Sequence, residues 1–130
     1  MKHIAAISML LLPFSMVFAQ GKGPYTKITS QEAKSMIDKG NVTIVDVRTQ
    51  SEYDADHLQE AVLVPLQTIE QDAPAVLTDK NAVLLVYCRT GIRSAAASKK
   101  LISMGYLHVY DIAGGITSWP YSTVNKQVQK

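Results

Sequence analysis

The chain has 130 residues, 47% of them hydrophobic, and its 13 basic and 11 acidic side chains leave a net charge of +2. That length and balance suit one globular domain with a modest core and exclude a disordered chain. With no block of like charges, nothing in the sequence reads as a nucleic-acid or membrane-surface binder.

At the N-terminus Lys2 precedes an apolar stretch from Ile4 to Phe18, and Val17 and Ala19 stand at the two positions a signal peptidase reads. The stretch is short of the ~20 residues that span a bilayer and is broken by Pro13. Residues 1–19 are therefore read as a cleaved signal peptide, and the mature chain as periplasmic and free of the membrane. Residues 20–24, "QGKGP", form a flexible lead-in to a domain over 25–120.

Along that domain "YTKI" has strand composition, and Thr29 with Glu32 makes a capping box for a helix that Gly40 stops. "VTIVDV" is a β-branched run of the kind buried on both faces of a parallel sheet. "TQSEYDADH" predicts a short helical turn, "AVLVP" a brief strand ended by Pro65, and "LQTIEQDAPAVL" a weak helix interrupted at Pro74. "AVLLVY", residues 82–87, is a second central strand. A helix follows over about 93–104, with Ala97, Leu101 and Met104 on one stripe and Gly105 at its end. "HVYDI" is a last strand, "AGGITSW" leads into a closing helix that Pro120 ends, and residues 121–130 read as a loosely held tail. Alternating strands and helices imply an α/β fold in three layers: a central, mostly parallel five-stranded sheet with helices on both faces.

Cys88 is the only cysteine, so an exported protein cannot use it for an internal disulfide, and no thiolate metal cluster is available. It stands where a central strand hands over to a helix, the place where open α/β sheets bind ligands. Gly91 permits a tight turn after it, the amides of that turn and the helix N-terminus form an anion nest, and Arg89 and Arg93 add positive charge. All of these favour the thiolate, so Cys88 is expected to be nucleophilic near neutral pH. Two chemistries suit an oxyanion beside such a sulfur: attack on a sulfane sulfur to give a persulfide, or on a phosphoryl group to give a cysteinyl phosphate. A cysteine phosphatase loop normally holds one residue more between cysteine and arginine than the four from Arg89 to Ile92, and Ser94 falls where its arginine would be.

Three segments carry a family resemblance. "IVDVRTQSEYDADHL", "YCRTGIRSAAASKKLISMGY" and "VYDIAGGITSW" resemble, in order and spacing, the first signature, the active-site loop and helix, and the closing signature of the single-domain rhodaneses, the thiosulfate sulfurtransferases. With its export signal the chain resembles the periplasmic phage-shock-protein E type. The resemblance implies the rhodanese-like fold and assigns Cys88 as the persulfide-forming nucleophile. It places Arg89, Thr90, Gly91, Ile92, Arg93 and Ser94 in the substrate-binding loop, with Arg93 closing it and Arg89 at a position that tunes substrate choice. It further implies a small anionic sulfur donor such as thiosulfate and a thiophilic acceptor, cyanide or a thiol, an unidentified protein acceptor included, with no metal or organic cofactor. Two rivals are an arsenate- or phosphate-ester-handling cysteine enzyme and a non-catalytic module that carries sulfur.

Other polar residues have plainer readings. Asp46 and Arg48 pair at a strand end to hold the next loop, and His57 satisfies backbone groups there; all three are read as structural support rather than as a charge relay with Glu52. Thr90 and Ser94 either bond a ligand or cap the helix. His108 is a surface residue, Gly114 and Gly115 a turn, and Trp119 a core anchor. The family often has glycine where Asp56 and Glu60 stand, which questions the turn between them, since side-chain-bearing residues tolerate φ > 0 poorly.

Overall fold

The computed structural model describes residues 23–129. The signal peptide and most of the lead-in lie outside the described residues; among those described, no helix is long and apolar enough to cross a membrane.

Five strands form one sheet: β1 (Thr26–Ile28), β2 (Val42–Asp46), β3 (Val62–Leu63), β4 (Val83–Tyr87) and β5 (His108–Ile112). Their order is β1-β5-β4-β2-β3, and every pairing is parallel, where the sequence predicted a mostly parallel sheet. Short βα connections leave no hairpin that would reverse a strand. Four helices cross between strands: α1 (Ser30–Lys39), α2 (Gln50–Ala55), α3 (Ile69–Val76) and α4 (Ile92–Ser103).

Alternation along the strands sorts the core into two layers. Leu84, Val86 and then Cys88 pack with Val45, Ile69, Ala73, Ala97 and Leu101 on the α3 and α4 face. Leu85 and Tyr87 pack with Ile44, Ala33, Leu58, Ile112 and Trp119 on the α1 and α2 face. Cys88 therefore lies beneath the N-terminus of α4, and its neighbour Tyr87 points to the opposite layer.

The start of α1 has the expected capping box, and α2 has a second one, Thr49 with Glu52, that sequence reading passed over. The weak helix splits into a 3-10 turn, Leu66–Thr68, and α3, which carries Pro74 inside it and ends two residues later. The closing helix is a 3-10 turn, Gly115–Ser118, because Gly114 and Gly115 both take positive φ, which is incompatible with α-helix.

The tail is a correction. Thr123 is buried and bridges Leu58, its hydroxyl donates to Asp56 Oδ2 at 2.6 Å, and the Asn125 amide donates to Asp56 Oδ1 at 2.9 Å. A carboxylate presented to the segment from the far end of α2 pins it, and local composition does not show such a partner. Burial pushes the Asp56 carboxyl up, but hydrogen bonds from Thr123, Asn125 and His57 outweigh it and hold it below its ordinary range. Asp56 itself is extended, at φ −169°, so its departure from glycine costs no backbone strain. Glu60 does take φ +65°.

Candidate active site

The turn from Cys88 to Gly91 folds back on its own sulfur. Gly91, at φ +117°, is the N-cap of α4, and its N–H donates to Cys88 Sγ at 3.1 Å. Two contacts from outside fix this turn. The Ile116 N–H donates to Cys88 O at 2.9 Å and the Thr117 N–H to Arg89 O at 3.1 Å, with Thr117 Oγ1 on the same oxygen at 2.9 Å. With these carbonyls bonded away from the loop, the amides that follow face inward. Gly115 makes the approach feasible: a Cβ there would lie 2.3 Å from Cys88 O and 2.5 Å from Arg89 O. Sequence reading saw only a turn in this glycine pair; the available signal was two glycines one helix beyond the cysteine loop.

Ser94 does not cap α4 with its side chain. It is buried, its hydroxyl donates to Gly91 O at 3.2 Å, and Cys88 Sγ lies 3.5 Å from Ser94 Oγ. Burial pushes the Cys88 thiol up, but the Ser94 hydroxyl and the amides of Ser94, Gly91 and Thr90 outweigh it and hold the thiol below its ordinary value. The expected nest thus exists, built mainly of hydrogen bonds.

Of the two arginines only Arg93 sits otherwise than expected. Arg89 is exposed, as are Thr90 and Ile92 around the mouth of the loop, Ile92 at 82%. Arg93 forks onto Glu52, Nη1 to Oε1 at 2.6 Å and Nη2 to Oε2 at 2.9 Å, so much of its charge is met by α2 rather than left free for the loop. The hydrogen bonds from Arg93 and Thr49 pull the Glu52 carboxyl down to about 2 from 4.5, against a smaller upward push from burial. Because the folded value is depressed, this pair stabilises the fold fully above pH 4.5 and ceases to as pH falls toward about 2. About a third of each side chain is exposed, so screening keeps the contribution small. Glu52→Gln is expected to lower the urea midpoint modestly at about pH 6, with the gap to wild type narrowing below pH 4.5 and closing only near pH 2; a gap equal at pH 6 and pH 2 would contradict it.

Asp46, Arg48 and His57 stand apart from the sulfur, in the opposite layer. Arg48 is 6% exposed and Asp46 fully buried; Nε and Nη2 of Arg48 bond both Asp46 oxygens, and Nη2 reaches Asp56 O at 2.6 Å. Tyr87, unforeseen, completes the network: its hydroxyl donates to Asp46 Oδ2 at 2.6 Å and accepts from the Leu58 N–H at 3.0 Å. His57 Nδ1 bonds Tyr53 O at 2.8 Å and its ring stacks on Tyr53 at 3.7 Å. No charge relay toward Cys88 forms from these residues.

A concavity of about 760 Å³ lies on the α1 side against Trp119 and Tyr121 and does not include Cys88. A second cleft, about 40 Å³, lies between Arg48, Leu66 and Arg93 and does not include Cys88 either. Among the described residues no group of carboxylate, histidine and cysteine side chains could hold a metal ion.

Comparison with known proteins agrees with this geometry. Residues 29–121 match the rhodanese-like domain family. The thiosulfate sulfurtransferase GlpE of Coxiella burnetii is 31% identical over 106 residues, spanning 78% of this chain and 97% of its own length. The crystal structure of a rhodanese-related protein from Thermoplasma volcanium superposes with a TM-score of 0.68 at 27% identity, over 78% of this chain and all of its own. A rhodanese with anions from E. coli is 32% identical with a TM-score of 0.58, covering 65% of this chain and 98% of its own.

Proposed function

The chain belongs to the rhodanese-like domain family, and from that premise we propose that it is a sulfurtransferase working through a persulfide on Cys88. One observation carries the proposal: the Gly91 N–H meets Cys88 Sγ at 3.1 Å while the carbonyls of residues 88 and 89 are bonded to the closing turn. That arrangement stabilises negative charge first on the thiolate and then on the terminal sulfur of a persulfide.

The reaction is a double displacement. Cys88 thiolate attacks the outer sulfur of thiosulfate; the new S–S bond forms as the old one breaks, and sulfite leaves with the electron pair. Cyanide or a thiolate then attacks the terminal sulfur of the persulfide, and the pair of the breaking bond returns to Cys88 as thiolate. Loop amides hold the charge at each stage, and the exposed Arg89 attracts the incoming dianion. The loop from Arg89 to Ile92 is one residue shorter than the loop that encloses a tetrahedral phosphoryl group in a cysteine phosphatase, which counts against ester hydrolysis. The N-terminal pattern supports export to the periplasm as a mature chain beginning at Gln20, akin to the phage-shock-protein E type.

One measurement tests both parts. Protein recovered from the periplasm is treated with thiosulfate and its intact mass determined. The expected mass is that of residues 20–130 plus one sulfur atom, the sulfur absent from Cys88→Ser and removed by cyanide. A chain that gains no sulfur refutes the transfer, and one that retains residues 1–19 refutes the processing.

A further inference from the structure

Asp111 on β5 is out of character with its surroundings. It pairs with Val86 across a parallel ladder, and residues so paired point to the same face of a sheet. Its carboxyl therefore faces α4, on the side from which Cys88 projects two residues beyond Val86. Asp111 is fully buried, and neither of its oxygens has a hydrogen-bond partner. A buried carboxylate in that condition is costly to ionise, which favours its protonated form. Burial raises its pKa, with the nearby Ser94 hydroxyl and the charge of Lys27 offsetting only part of the rise. Lys27 lies beside it on β1, Cys88 lies beyond the end of β4, and the inward side chains of α4 are Ser94, Ala97, Ser98, Leu101 and Ile102, none of which titrates.

Serine is equally unexpected there. Ser94 and Ser98, one turn apart, are both fully buried, and the Ser98 hydroxyl has no partner. Alanine would pack as well, so a buried hydroxyl calls for a polar reason. Ser94 has one hydrogen and two claims on it. While Cys88 is a thiol, its S–H donates to Ser94 Oγ and the Ser94 hydrogen rests on Gly91 O. Once the thiolate forms, the sulfur needs that hydrogen and Gly91 O competes for it.

We propose that, once the thiolate forms and the S–H no longer occupies Ser94 Oγ, Asp111 donates its carboxylic proton in a hydrogen bond to that oxygen and so turns the Ser94 hydroxyl toward the Cys88 sulfur, making Asp111 a positioning residue for the nucleophile. A hydroxyl that accepts a hydrogen bond becomes a stronger donor, and the lone pair the thiol vacates is the one the acid fills. No covalent bond changes and no proton leaves Asp111. The significance of this for catalysis rests on the sulfurtransferase reading, but its readouts do not.

The test follows Cys88 alkylation by iodoacetamide against pH, with folding checked by circular dichroism. Asp111→Val is expected to move the midpoint of Cys88 ionisation to higher pH and slow alkylation at neutral pH about fivefold, the worth of one hydrogen bond. Ser94→Ala should do the same, the double variant no worse than Ser94→Ala alone, and Asp111→Asn, which keeps an N–H donor, should stay within about twofold of wild type. Full additivity, an unchanged thiol in Asp111→Val, or an Asn variant as slow as the Val variant would overturn the proposal. Should Asp111→Val fail to fold, infrared spectroscopy decides: a protonated carboxyl band is expected at neutral pH, missing in Asp111→Asn and shifted in Ser94→Ala. A band that is missing in wild type, or unmoved by Ser94→Ala, refutes it. Neither readout uses a sulfur donor, so a protein that behaves as expected here yet takes no sulfur from thiosulfate sinks the transferase reading alone.

Discussion

Gly115→Ala is expected to destabilise the protein by about 3 kcal/mol and to slow Cys88 alkylation at neutral pH at least tenfold. Two costs combine. At φ +57° any side chain is strained, and the added carbon would lie 2.3 Å from Cys88 O and 2.5 Å from Arg89 O, both backbone atoms that cannot swing aside. The closing turn must retreat, releasing the carbonyls that Ile116 and Thr117 hold, and the amides around the sulfur lose their fixed aim. Gly105→Ala is the control: φ is +97° there with nothing within 4 Å of the new carbon, so only the conformational cost of about 1 kcal/mol should appear, with alkylation unchanged. Chemical denaturation and alkylation rates on the two variants check this. Equal losses in both would mean that the close approach has no part in shaping the loop.

Asp46→Ala is expected to cost about 3–5 kcal/mol, because it leaves the Arg48 guanidinium buried without its carboxylate. Burial alone works against the Arg48 charge, and Asp46 more than restores it. Tyr87 loses the acceptor for its hydroxyl in the same step. Against a total stability of about 5–15 kcal/mol for a domain of ordinary stability, this is a large share of the whole. Asp46→Leu combined with Arg48→Met should recover most of the loss, since a buried pair replaced by apolar groups is often neutral. Urea denaturation of the single and double variants is the measurement. A double variant no better than the single would show that the charge left behind was not the source of the cost.

Much of the fold was legible because its signals are local. The β-branched runs at Val42 and Val83, the capping box at Thr29 and the glycine stops are written within a few residues of where they act. The same holds for the candidate nucleophile: a cysteine at a strand end, a glycine where φ must be positive and a helix starting at once make a nest by chain geometry alone. The all-parallel register follows from the alternation of elements.

What the sequence could not show is separated along the chain from what it touches. Arg93 meets Glu52 across 41 residues, Tyr87 meets Asp46 across 41, and Thr117 meets Arg89 across 28. Each had a sound local reading, as loop charge, strand residue or part of a closing helix, and no local rule distinguishes these from the long-range one. The sequence determined where a reactive sulfur would sit and which backbone would surround it, because both depend on torsions and hydrogen bonds between near neighbours. Only the tertiary structure decided which way the loop carbonyls face, where the arginine charge is neutralised and which carboxyl is buried behind the nucleophile, because those depend on the packing of separate elements into one sheet.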